Sequence, residues 1–312
     1  MILTVTLNPS VDMQYQLSAL QVNDVNRAAH VSKTAGGKGL NVTRVIDQLQ
    51  EQVTATGFLG GRLGEFIVDE LSQQQIAHDF VSIQGETRNC IAVLHDGKQT
   101  EILENGPIIT KDESEQFLQK LQNLLGKVTR LTISGSLPKG LTVSFYQQII
   151  SLANQQKVPV FLDTKASLLM EIVKGDAKPY LIKPNQQEFA EAMEMTSNSV
   201  EAIVDILSHR TLLSDIPWVV VTLGKDGAVI KHEAVIYRAS IPNIHAKNPV
   251  GSGDSVLAGF AVGHQRQLSA VELIQFGLTM GVLNALQAQT GQIDPEAIPD
   301  YLSQIHVRKL LK

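Results

Sequence analysis

Four short apolar runs in the middle of the chain each end on a polar or glycine residue, and segments with helical spacing separate them. Leu131-Thr-Ile133 runs into Ser134-Gly-Ser136, and Val158-Pro-Val-Phe-Leu162 runs into Asp163. Tyr180-Leu-Ile182 meets Lys183-Pro-Asn185, with Glu188 three residues further on, and Trp218-Val-Val-Val-Thr222 meets Leu223-Gly-Lys-Asp-Gly227. Apolar runs without in-and-out alternation suit strands buried on both faces, and helical connections of this length suit parallel neighbours. The pattern predicts an α/β fold, a mostly parallel sheet flanked by helices, with its polar residues delivered to one edge. Ligands of such sheets bind outside the carboxyl ends of the strands.

The amino-terminal Ile2 to Leu7 reads as a further buried strand, ended by Asn8-Pro9-Ser10. Asp12 lies just beyond it, as either a turn residue or a ligand-facing carboxylate. Two glycine-rich segments then open helices. One is Ala35-Gly-Gly37-Lys38-Gly-Leu-Asn41, followed by Val42, Val45, Ile46 and Leu49 on one face. The other is Asn248-Pro-Val-Gly251-Ser252-Gly253-Asp254-Ser255, leading into Val256-Leu-Ala-Gly-Phe260. Glycines let backbone N–H groups converge, and the helix dipole adds positive potential, so each start is suited to an anion. Asp254 in the first turn is either a helix-terminus charge or a base beside that anion. Lys38 lacks the spacing of a P-loop, and Gly57 to Gly64 lacks that of a dinucleotide fingerprint.

Two stretches break the α/β rhythm. Tyr15 to Lys33 is polar and weakly β-like, and Asp96-Gly97 between Ile91–Leu94 and Thr100–Leu103 signals a hairpin. Arg88 stands at the mouth of that hairpin, as a phosphate-binding fork or a solvated surface residue. The net charge of -5 argues against general nucleic-acid binding but allows a local basic pocket. Cys90 is the single cysteine, so a disulfide framework is excluded, and the eight histidines lack metal-ligand spacing. The amino-terminal apolar run is too short for a membrane span and has no basic flank, so a cytoplasmic chain is expected.

Phosphoryl transfer needs donors along the phosphates, cations beside them and a carboxylate near the attacking hydroxyl, all of which these stations could supply. Gly36-Gly-Lys-Gly-Leu-Asn41, Lys183-Pro-Asn185 with Glu188, and Gly251-Ser-Gly-Asp254 occur in an order that resembles the ribokinase/PfkB carbohydrate-kinase family over essentially the whole chain. Thr6-Leu-Asn-Pro-Ser-Val-Asp12, Gly85-Glu-Thr-Arg88, Ile133-Ser-Gly-Ser-Leu-Pro138 and the Asn248-Pro-Val lead-in resemble its sugar-phosphate branch.

The resemblance implies a ribokinase-like kinase domain over residues 1–312, with a small β-rich lid from about 10–34 and 79–106 that also forms a homodimer surface. It implies ATP- and Mg2+-dependent phosphorylation of a ketohexose phosphate, D-tagatose 6-phosphate to D-tagatose 1,6-bisphosphate. 1-Phosphofructokinase or 6-phosphofructokinase activity is the enzyme alternative, and a sugar-phosphate sensor the non-enzyme one. By the same likeness Asp254 would be the base, and Gly251, Ser252 and Gly253 an anion hole. Asp12, Gly37, Lys38, Asn41 and Ser136 would line the sugar site, with Arg88 and Arg27 on the substrate phosphate. Lys183, Asn185, Thr222, Gly224, Gly227 and Asn284 would border the nucleotide, and Asn185 and Glu188 would meet magnesium through water. Asn248-Pro-Val departs from the triplet common in the family, so no monovalent-cation site is carried over, and Lys165 has no assigned role.

Overall fold

The computed structural model describes residues 1–209 and 211–311. The chain opens with strand β1 (Ile2–Thr6), passes out through β2 (Ser10–Gln16) and β3 (His30–Gly36), and returns along helix α1 (Lys38–Gln48) to β4 (Val53–Leu59). Helix α2 (Gly61–Gln73) is followed by the short strands β5 (Ala77–His78) and β6 (Val81–Ser82), then the hairpin β7 (Arg88–His95) and β8 (Lys98–Leu103). Regular alternation follows: α3 (Lys111–Leu125), β9 (Arg130–Ser134), α4 (Val143–Gln155), β10 (Val160–Asp163), α5 (Ala166–Lys174), β11 (Leu181–Ile182), α6 (Gln186–Ala192), α7 (Val200–His209) and β12 (Trp218–Thr222). The last part holds β13 (Ala228–His232), β14 (Val235–Ser240), α8 (Ser252–Gln265), α9 (Ala270–Ala285), α10 (Ile298–Leu302) and β15 (His306–Leu311).

The main sheet has the order β15-β14-β13-β12-β11-β10-β9-β1-β4-β5, with β6 also on β4. From β4 to β12 every pair is parallel, as the apolar runs require. β13, β14 and β15 extend the sheet in antiparallel fashion, an addition that the apolar runs did not foreshadow. One face of the sheet carries Leu3, Val5, Leu131 and Ile133 against Phe117, Tyr146 and Ile149. The other carries Ile2, Phe161, Leu181 and Val220 against α1, α8 and α9. Fully burying each such side chain stabilises the fold by roughly 1.5–3 kcal/mol before entropy is counted.

The two irregular stretches come together as a second sheet of order β3-β2-β7-β8. β2 pairs antiparallel with β3 and parallel with β7. Asp96 and Gly97 both have positive φ, 49° and 67°, as a type I′ hairpin turn demands. Residues 81–82 pair with β4 on the main sheet, so the second excursion enters the small sheet only at Arg88. The Gly85-Glu-Thr-Arg segment anchors this junction. Glu86 accepts from the Leu63 N–H in the first turn of α2 at 2.7 Å, and the Thr87 hydroxyl accepts from Gly60 N–H at 3.0 Å.

α8 and α9 are buried almost throughout, and they press together where they lack side chains. A Cβ on Gly259 would lie 2.8 Å from Gly277 Cα, and one on Gly277 would lie 2.5 Å from the Phe260 ring. This contact fixes α8, and with it Asp254, against the sheet.

α1 makes a similar approach to β1, since a Cβ on Gly39 would fall 2.1 Å from Thr6 Oγ1 and 2.9 Å from the Val5 carbonyl. Gly39→Ala is therefore expected to destabilise the protein by about 1–3 kcal/mol, the usual range for overpacking, by lifting the start of α1 from the sheet. An unchanged urea midpoint in that variant would contradict the contact.

Candidate active site

α8 begins at the carboxyl edge of the main sheet. Gly251 caps it with φ 82°, a left-handed conformation that glycine adopts without strain, and this turns the N–H groups of the first turn toward the edge. Lys183 rises from the end of β11 to meet this turn: a Cβ on Gly253 would be 3.2 Å from Lys183 Nζ. The ammonium and the helix terminus thus address one point.

Asp254 is 5% exposed, and its Oδ2 accepts a 2.7 Å hydrogen bond from Asn41 Nδ2. Burial and then the negative charge of Asp163 push its pKa up to about 6, against the pull of Lys38, the Asn41 amide and Lys183. Asp163, the last residue of β10, pairs with Lys183 at 3.1 Å and lies 3.7 Å from Lys38. Burial alone would raise the Asp163 pKa, but Lys183 and Lys38 outweigh it and hold the carboxyl below its ordinary value. Asp163 chiefly, with Asp254 and Glu188 adding, holds the Lys38 ammonium above its ordinary value despite burial.

The expected sugar-side residues converge beside this cluster, at the end of β1. Ser10 donates to Asp12 Oδ1 at 2.6 Å, and burial raises the Asp12 pKa against Ser10, Arg44, Arg88 and the Gly37 N–H. Arg88 donates from Nε and Nη2 to the Asn8 carbonyl and from Nη1 to the Glu104 carbonyl. These bonds tie the hairpin to the β1–β2 turn and leave further guanidinium N–H groups for an anion. Asn8 donates from Nδ2 to Ser136 Oγ at 3.3 Å. Arg27 is not brought to this group within one chain. It is exposed on the loop joining the far ends of β2 and β3, beyond the last pair Gln16–His30, which lies four register steps from Asp12, or roughly 14 Å at strand spacing.

On the other side, Asn185 and Glu188 form a capping box at the start of α6: Glu188 N–H donates to Asn185 Oδ1 at 2.8 Å, and Asn185 N–H donates to Glu188 Oε2 at 2.9 Å. Glu188 Oε1 faces Lys38 at 3.9 Å. Thr222 sits beside Asn185 through a parallel bridge. Gly224 and Gly227, with φ 59° and 88°, shape the loop that follows, and Arg238 Nη2 donates to the Asp226 carbonyl inside it. Asn284 is 0% exposed, and its amide holds the Val250 carbonyl and accepts from Gly291 N–H. It thereby braces the loop that leads to Gly251.

Residues 5–297 match the model of the pfkB family carbohydrate kinases. The chain belongs to that family. Similar solved structures include a Staphylococcus aureus protein provisionally named a phosphofructokinase, at 32% identity and TM-score 0.85, covering 100% of this chain and 99% of that one. A Thermotoga maritima protein provisionally named a 1-phosphofructokinase matches at 26% identity and TM-score 0.90 over 99% of both chains. Phosphofructokinase-2 from Escherichia coli, solved in complex with potassium, matches at 25% identity and TM-score 0.90 over 97% of this chain and 98% of that one. The protein is accordingly an ATP-dependent sugar kinase with the ribokinase-like fold.

PfkB kinases use ATP with a divalent metal, and the residues here fit one held mainly by phosphates and water. Among the described residues no group of three or more His, Cys, Asp or Glu side chains could hold the ion directly. Glu188 Oε2 is engaged in the capping box and Oε1 faces Lys38, so Glu188 would meet such an ion only through its hydration shell.

Asp163 and Arg44 were not among the expected site residues. Asp163 carried the same signal as Asn185, a polar residue at the end of an apolar run, whereas Arg44 is marked only by its place one turn after Asn41. The Lys183–Asp163 pair is closed off from solvent, at 3% and 2% side-chain exposure. Lys183→Met should destabilise the protein by about 3 kcal/mol or more, because it leaves a buried carboxylate short of a partner. Adding Asp163→Asn should recover much of that loss in denaturant unfolding, and strictly additive losses would contradict the pairing.

Proposed function

We propose that this pfkB kinase transfers the γ-phosphoryl group of ATP to a hydroxyl of a ketohexose phosphate, with D-tagatose 6-phosphate the preferred acceptor and D-tagatose 1,6-bisphosphate the product. The observation that carries the reading is Asp254: a carboxylate buried at a helix amino terminus, with a pKa raised to about 6 and lysines on both sides. Asn41 occupies Oδ2 and leaves Oδ1 to take the hydroxyl proton. The hydroxyl oxygen forms a bond to the γ-phosphorus while the bond to the ADP oxygen breaks, and the proton goes to Asp254. The N–H groups of Gly251, Ser252 and Gly253 and the Lys183 ammonium stabilise charge on the moving phosphoryl oxygens.

On the acceptor side, Asp12, Gly37, Lys38, Asn41 and Ser136 surround the sugar, and Arg88 receives the phosphate already on it. On the donor side, Lys183, Asn185, Thr222, Gly224 and Gly227 border ATP, Asn284 braces the loop behind it, and Glu188 with Asn185 orders the water around Mg2+. The small sheet acts as a lid. Its exposed apolar residues, Val22, Val25, Val31, Ile102 and Leu103, support pairing of two lids in a homodimer. The cytoplasm is the compartment this reading implies. No described helix is long and apolar enough to cross a membrane.

A second substrate reading is favoured by the similar structures, one a phosphofructokinase and two provisionally named as such. Tagatose 6-phosphate and fructose 6-phosphate differ only in configuration at one hydroxyl, so the residues above suit either. ADP release measured with D-tagatose 6-phosphate, fructose 6-phosphate and fructose 1-phosphate decides between them. The proposal expects the highest kcat/KM with D-tagatose 6-phosphate. A clear preference for either fructose phosphate would replace the substrate, and no turnover with any sugar phosphate would defeat the kinase reading.

A further inference from the structure

The hydrogen bond that holds Asp254 depends on which end of the Asn41 amide faces it. The nitrogen end donates and stabilises a carboxylate, while the oxygen end would oppose it. The choice is made on the opposite side of Asn41, where Arg44 Nη2 donates to Asn41 Oδ1 at 2.5 Å. A guanidinium can only donate, so the amide oxygen must face Arg44 and the amide nitrogen must face Asp254. The two residues are one turn apart on α1, which places their side chains side by side.

The guanidinium is itself held. Its Nη1 donates to the Ala35 carbonyl, near the end of β3, at 2.6 Å. Gly291 covers its other side, since a Cβ there would lie 3.2 Å from Arg44 Nε and 3.3 Å from Nη2. Gln48 clamps that loop to α1, donating to the Gly291 carbonyl at 2.9 Å and accepting from Ile293 N–H at 2.8 Å. A planar fork serves two acceptors in fixed directions, which a lysine ammonium does not reproduce. Arg44 also lies in the field of Asp12, Asp254 and Glu70.

We propose that Arg44 is a positioning residue that orients the Asn41 amide toward Asp254 and, through the Ala35 carbonyl, registers the base to the root of the lid. The inference rests on Asp254 being the base of the kinase reaction. The charged groups facing Asp254 are Lys38 and Arg44 from α1, Asp163 from β10 and Lys183 after β11, with Asp12 of β2 on the far side of Arg44. Of these, Arg44 is the one that acts through Asn41. Without it the amide is free to turn, and the carboxylate loses its donor.

The test compares kcat/KM against pH in wild type, Arg44→Met, Asn41→Ala and the double variant. In wild type the acid limb should lie near pH 6, because a raised carboxyl pKa keeps the base protonated below that value. Arg44→Met should move the limb upward by about half a unit or more and lower kcat/KM at neutral pH about tenfold or more. Asn41→Ala should move it in the same direction. The double variant should lose little beyond the worse single variant, because the two residues act in series. An unmoved limb, or losses that multiply, would overturn the proposal. If Arg44→Met does not fold, Arg44→Lys keeps the charge without the fork: an upward shift of its acid limb supports the proposal, and an unmoved limb overturns it. If wild type turns over no sugar phosphate, the kinase reading fails by itself. The Asp254 carboxyl titration, followed by carbon NMR in wild type and Arg44→Lys, then decides the role of Arg44: a raised midpoint in the variant supports it and an equal midpoint overturns it.

Discussion

One buried carboxylate, Asp163, balances the charges at the carboxyl edge of the sheet. It pairs with Lys183 beside the amino terminus of α8 and lies close to Lys38 at the start of α1. Two ammonium groups are thereby held on either side of the place where a phosphoryl group would pass, without neutralising Asp254. The same negative charge, together with burial, raises the Asp254 pKa and makes a better proton acceptor than an exposed aspartate would be. Removing Asp163 would alter the surroundings of Lys183, Lys38 and Asp254 at once.

The fold makes this arrangement rigid by bringing backbone close to backbone. Gly39 lets α1 lie on β1, and the Gly259–Gly277 contact lets α9 press α8 onto the sheet. Asn284, from within α9, holds the Val250 carbonyl just before the Gly251 cap. The helix starts that carry Lys38, Asn41 and Asp254 are therefore set by the core, while Asp12 and Arg88 arrive from the small sheet. Arg88 and Glu86 bind that sheet to the β1–β2 turn and to α2, so Asp12 and Arg88 share the anchors of the small sheet.

Much of this was legible in the sequence because it depends on local chemistry. The parallel strands followed from apolar runs ending on polar residues, the hairpin turn from Asp96-Gly97, and the two helix starts from their glycines. The less legible parts depend on partners distant in sequence. Asn185 and Glu188 read as metal-region oxygens, but their three-residue spacing also makes a capping box, and the structure uses it that way. Arg88 read as a phosphate-binding fork or a solvated surface residue, yet part of its donor set goes to the main chain of Asn8 and Glu104. Arg27 and Arg88 read alike in the sequence, and the β2–β3 ribbon sets them apart within one chain, with Arg88 at its root and Arg27 on the loop at its far end. β13, β14 and β15 escaped notice since their antiparallel pairing extends the sheet without adding an edge residue to the site.

The central claim is that Asp254 takes the proton of the acceptor hydroxyl. The most direct measurement is the turnover of Asp254→Asn beside its affinity for ATP and for the sugar phosphate, the latter two by calorimetry. The account predicts a loss of about a hundredfold or more in kcat with both affinities within a few fold of wild type, the pattern of a removed general base. Near-normal turnover in Asp254→Asn would contradict it.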